Sequence, residues 1–105
     1  MRKGFVSTMR EGFHMTFENG LTVSVQWGAG NYCDNYCPED LDFSFKKDAA
    51  SNTAEVAILR GNEFLNPQDF VSYEIGGDGE VVGYLSPSEV VDLLIAARDW
   101  DGCRP

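Results

Sequence analysis

The chain has 105 residues, 43% of them hydrophobic, 24% charged and 12% aromatic, which is the composition of one ordinary globular domain over residues 1–105. Seventeen Asp and Glu against eight Lys and Arg leave a formal net charge of −9. That balance argues against gripping nucleic-acid phosphates, a task for clustered cations that displace counterions. No apolar run approaches the ~18 residues that a membrane-spanning helix needs.

The start, Met1-Arg2-Lys3-Gly4, has positive charge but no apolar stretch behind it, so it does not read as a secretory signal. The first periodic segment is a hairpin. Phe13, Met15 and Phe17 alternate with His14 and Thr16, and Leu21, Val23, Val25 and Trp27 repeat the pattern after Glu18-Asn19-Gly20. Period-two alternation in both arms around an Asn-Gly pair is the strongest short-range hairpin signal. Residues 28–52 then read as a long irregular segment punctuated by Gly, Asn and Pro, with Leu41–Phe45 as a short strand inside it. A loop of that length in a small domain tends to be functional or partly disordered.

Strands return with Ala54, Val56 and Ile58, a Gly61-Asn62 turn and Glu63-Phe64-Leu65. Phe70–Ile75 reads as a further strand with Val71, Tyr73 and Ile75 on one face, reversed by Gly76–Gly79 into Glu80–Leu85. The last element is a helix. Ser86-Pro87-Ser88-Glu89 places a capping box at its start, and Val90, Val91, Leu93, Leu94, Ala97 and Trp100 form an apolar stripe at helical spacing. Gly102 suits the position just past its end. The predicted architecture is α+β: an antiparallel sheet of about five strands with one C-terminal helix packed on one face.

Few residues carry chemistry. Cys33, Cys37 and Cys103 with His14 would make a Cys₃His zinc set. The single C-x₃-C spacing and the lack of a second pair favour unpaired, reduced thiols and a cytoplasmic setting. Asp34, Asn35, Glu39, Asp40 and Asp42 offer oxygen donors for a divalent cation, but the glycine and terminal glutamate of a calcium loop are missing. Gly28-Ala29-Gly30 follows a strand without the helix that completes a phosphate cradle. His14 is the only histidine and lies on the polar side of its strand, so a nucleophile has no oriented base and the chain reads as a non-enzyme. No cofactor is expected.

Charge is the remaining signal. Residues 53–105 hold ten carboxylates against Arg60, Arg98 and Arg104. Glu89, Asp92 and Asp99 fall in one sector of the helical wheel, and Asp99 sits where the helix dipole disfavours an anion by ~0.3–1 kcal/mol. The sharper reading makes this an acidic face for a basic protein surface; the plainer one is solubility.

The run from Gly12 to Asn35, the Thr53-Ala54-Glu55-Val56-Ala57 segment and the Ser86-Pro87-Ser88-Glu89-Val90 helix start together resemble a pattern found in small uncharacterised proteins of phages and bacteria. The resemblance implies a phage or mobile-element setting, in which small acidic proteins often act against host defence. It transfers no functional residue.

The expected function is a non-enzymatic binding protein in the host cytoplasm. It would occupy a basic, nucleic-acid-binding surface of a host defence complex through Tyr32, Asp34, Tyr36, Glu39, Asp40, Glu89, Asp92 and Asp99, the tyrosines anchoring and the acids steering. The alternative is a small-molecule or metal-binding module using the 28–42 loop. Exposed strand edges leave dimerisation open.

Overall fold

The computed structural model describes residues 4–8, 11–37, 50–76 and 79–102. Six strands form one antiparallel sheet: β1 (Gly4–Ser7), β2 (Gly12–Thr16), β3 (Leu21–Gln26), β4 (Ala54–Arg60), β5 (Glu63–Leu65) and β6 (Val81–Leu85). Among the described residues one α-helix, α1 (Pro87–Arg98), follows β6. The α+β architecture expected from the sequence is therefore present. Gly4–Ser7, which the sequence pattern does not mark as a strand, pairs with β2 in register from Gly4 opposite Thr16 to Ser7 opposite Phe13.

Both N-terminal hairpins close through three-residue loops. Thr8 donates its N–H to Gly12 O while Glu11 donates to Thr8 O, and Phe17 and Gly20 repeat the arrangement with Leu21 and Phe17. Gly20 takes the positive φ of +91° that this turn requires.

The sheet runs β1-β2-β3-β4, and the far edge of β4 is shared. Its first half pairs with β6 and its last three residues pair with β5. Residues opposite one another share a face. Phe13, Val25, Val56 and Val82 thus form one row, and Met15, Val23, Ile58 and Leu65 the next. These rows face α1, whose Leu93 and Ala97 are fully buried in the same cluster with Leu21, Ile75 and Leu85. On the other face Thr16 and Thr22 are buried and share a hydrogen bond of 2.7 Å, so neither hydroxyl is left unpaired.

Two sequence expectations need correction. Phe70–Ile75 is not a strand. Pro67–Phe70 forms a 3-10 turn capped by Asn66, and the chain then runs irregularly. Both edges of β4 are occupied, and the segment pairs with no other strand. The side chain of Gln68 takes over the pairing instead: its Oε1 accepts from Ile75 N (3.0 Å) and its Nε2 donates to Tyr73 O (2.7 Å). Ile75 is still buried in the core, whereas Tyr73 points outward. The second correction concerns the helix end, which is capped at Asp99, so Gly102 lies beyond the capping position. The expected strand at Leu41–Phe45 lies outside the described residues.

The carbonyls at the end of α1 are instead satisfied by the β2–β3 loop. Asn19 Nδ2 donates to Ala97 O (2.8 Å) and Trp100 O (2.9 Å), with Arg98 O at 3.3 Å, while its Oδ1 accepts from Leu21 N at 3.0 Å. One carboxamide therefore caps the helix and fixes its end to the hairpin.

Asn19→Ala should cost about 1–2 kcal/mol of stability through the orphaned carbonyls. Asn19→Asp should cost more, since a carboxylate donates nothing and places an anion at the helix C-terminus. Leu93→Ala should cost about 2–5 kcal/mol, against less than about 0.5 kcal/mol for the half-exposed Ile95→Ala. Urea denaturation checks all four, with a lowered midpoint at unchanged slope as the expected signature.

Candidate functional site

The segment after β3 is built by its own side chains. Gly28 N donates to Asn31 Oδ1 (2.9 Å) and Asn31 N to Gly28 O (3.1 Å), closing one turn; Tyr36 N to Cys33 O (2.9 Å) closes the next. Cys33 is buried beneath the loop with its thiol directed at Gly28 O, and burial pushes that thiol above its ordinary pKa. Asn35 Nδ2 bridges Trp27 O (2.8 Å) and Ala50 O (2.9 Å). Residues 28–37 are thus an ordered, cross-braced loop.

The loop is fastened to the start of β4 and to β6. Glu55 accepts from Asn31 Nδ2 (3.1 Å) and Tyr32 N (3.0 Å). Asp34 N donates to Thr53 Oγ1, and that hydroxyl donates back to Asp34 Oδ1, both at 2.9 Å. Tyr84 N donates to Tyr32 O at 2.9 Å. Gly83 is required there, because a Cβ at this position would lie 2.6 Å from Tyr32 Cβ and 2.9 Å from Tyr32 O.

The outcome is a group of exposed tyrosines on a fixed backbone. Tyr32 and Tyr36 pack with ring centroids 5.1 Å apart, and 52% and 42% of their surface faces solvent. Tyr84, 53% exposed, follows Gly83 in β6 and is the one non-glycine among the described residues with a positive φ, +57°. Such a conformation costs an L-residue about 1–2 kcal/mol and is held here by the β6–loop hydrogen bond.

Of the residues singled out from sequence, the structure brings Tyr32, Asp34 and Tyr36 together. Glu39 and Asp40 lie outside the described residues. The three helix acids do not form a free face. Glu89 completes the capping box by accepting from Ser86 N at 2.8 Å. Asp92 accepts from the Tyr73 hydroxyl at 2.6 Å. Asp99 is held by Arg98 through bonds of 2.8 and 3.1 Å, and this contact lowers its pKa. Asp99 also lies ten residues along the helix from Glu89, about 15 Å at 1.5 Å per residue. Sequence reasoning missed Tyr84, Glu55 and Thr53, whose roles depend on which strands meet. Only the Gly83-Tyr84 step could have hinted at a bulge.

A cavity of about 310 Å³ opens beside the loop. It is lined by Val25, Trp27, Thr53 and Leu85, with Pro87 and Val91 from the first two turns of α1. None of its described lining comes from residues 28–37, and residues 38–42 of the alternative reading's loop lie outside the described residues. Among the described residues no three His, Cys, Asp or Glu side chains converge on a possible metal position, and Cys103 lies outside them. Among those residues, too, no helix is long and apolar enough to cross a membrane. Comparison with protein-family models, curated proteins and solved structures finds no match in any of the three.

The Asp92 carboxylate pushes the Tyr73 phenol up to about 12 by accepting its proton in a hydrogen bond. A raised folded-state pKa means that the bond contributes fully below the ordinary value of about 10 and is lost as pH rises through 12. Ultraviolet titration of tyrosinate should show the late ionisation of Tyr73, which moves back toward the ordinary value of about 10 in Asp92→Asn.

Proposed function

We propose that the protein is a non-enzymatic binding protein that docks on a basic protein surface through the tyrosine loop. The observation that carries this reading is the Tyr32–Tyr36 pair, two exposed rings in contact on a backbone already fixed by Asn31, Asn35, Thr53 and Glu55. Tyrosine supplies large contact area at low entropic cost and is enriched at binding hot spots. A braced loop avoids the cost of ordering on association. Asp34 beside the rings, and a net charge of −9, favour a cationic partner chiefly through encounter rate and specificity.

The role of the acids differs from the one expected from sequence. Glu89 and Asp99 are engaged within the chain, by the Ser86 cap and by Arg98, so they add to the overall field more than to a contact patch. The sequence resemblance to small phage and bacterial proteins supplies the setting in this reading. The partner is then a host defence complex in the cytoplasm, and the docked surface is its nucleic-acid-binding face.

The test is affinity capture from bacterial lysate with the wild type and with Tyr32→Ser/Tyr36→Ser, followed by mass spectrometry. The expected result is a basic protein retained at 50 mM salt, released by 500 mM as the Debye length falls from roughly 14 to 4 Å, and absent from the variant. Identical recoveries with both proteins, or retention indifferent to salt, would overturn the reading.

A further inference from the structure

The surface beside the tyrosine loop has an apolar component that the core does not use. Pro87, Val91 and Ile95 stand four residues apart on α1 and form one ridge. All three are exposed, Val91 by 49% and Ile95 by 45%. The stripe read from sequence would have buried Val91 with Val90; the structure leaves Val91 at the mouth of the 310 Å³ cavity. A second depression of about 280 Å³, lined by Pro87, Ser88, Val91 and Asp92, continues outward from the same two apolar residues. Together they make a groove running from Thr53 at one end to Asp92 at the other.

Its charge is one-sided. Among the described residues the lining of both depressions contains no Lys or Arg. Asp34 is bonded to Thr53 at one end, and Asp92 stands at the other with Tyr73 on its Oδ2. The larger depression, open to solvent, lies at the small end of ligand pockets, which span roughly 300–1,000 Å³, and suits one bulky side chain. The groove beyond it is open and elongated, which suits the chain that carries that side chain.

We propose that this groove takes an extended segment of the partner in which a bulky apolar residue is flanked by lysine or arginine. The apolar residue fills the cavity against Trp27, Leu85 and Val91, and the flanking cations meet Asp34 and Asp92. The proposal rests on the reading that the partner is a basic protein, and it adds an anchor separate from the tyrosine pair. Thr53 joins the two, since it lines the cavity and holds Asp34 in the loop.

Trp27 lies in the cavity wall, so its fluorescence reports occupancy in a Trp100→Phe background. The indole N–H of Trp100 is buried without a partner, so that change strands no hydrogen-bonding group. The probe is a synthetic peptide with one leucine between paired lysines. A saturable change is expected, weakened at least tenfold by leucine-to-serine in the peptide, by lysine-to-glutamine in the peptide, or by Val91→Arg in the protein. Val91 is half-exposed, so Val91→Arg should keep the wild-type circular dichroism. Tyr32→Ser/Tyr36→Ser should bind the peptide as the wild type does, and so separates failure of this proposal from failure of the tyrosine reading. Equal binding of the serine peptide would show that charge alone acts and would overturn the proposal. So would equal binding of the glutamine peptide, no effect of Val91→Arg, binding of toluene but not of peptide, or self-association abolished by Val91→Arg.

Discussion

The molecule depends on the double occupation of β4. This strand gives one edge to β3 from Glu55 to Arg60 and divides the other between β6 and β5. Val56 and Ile58, fully buried on its helix-facing side, sit at the centre of the core. Because the second edge is shared, the chain between β5 and β6 cannot pair with β4. It leaves the sheet through the 3-10 turn, relies on Gln68 for its hydrogen bonds, and still returns Ile75 to the core. The same division sends β6 alongside the beginning of β4, so that Gly83 and Tyr84 meet the loop braced on Thr53 and Glu55. The core and the candidate surface are two consequences of one pairing.

What could be read from sequence follows from this. The β2–β3 hairpin and the helix start were legible because each is specified within a few residues: alternation around Asn19-Gly20, and a capping box from Ser86 to Glu89. Phe70–Ile75 misled because its alternation is real, yet its backbone bonds to the Gln68 side chain and not to a neighbouring strand. β1 escaped notice because four residues without a period carry too little pattern. Asn19 shows the limit most clearly. Its turn role is local and readable, while its cap on α1 spans 78 residues of sequence and depends on where the helix comes to rest.

The candidate site divides in the same way. Tyr32, Asp34 and Tyr36 could be found because an aromatic, Asn-rich loop after a strand stands out from its surroundings. Periodicity on a helical wheel put Glu89, Asp92 and Asp99 together, but a wheel does not show the neighbours of each carboxylate. Ser86, Tyr73 and Arg98 occupy them one by one. Paired acids in exposed positions contribute little to stability, and a carboxylate already engaged has fewer lone pairs to offer a partner.

That redistribution alters what kind of recognition the surface can support. A continuous acidic face would read only charge, and would bind any cationic patch with an affinity set by salt. Ring pairs, an apolar cavity and two separated carboxylates instead ask for geometry: an apolar group at one depth and cations at a fixed distance on either side. Since Thr53 and Glu55 belong to the strand that carries the core, the surface inherits the rigidity of the sheet. Complementarity is then decided before the partner arrives. In the proposed reading, selectivity among basic partners comes from the apolar anchors, and the net charge of −9 governs how often a candidate is brought within reach.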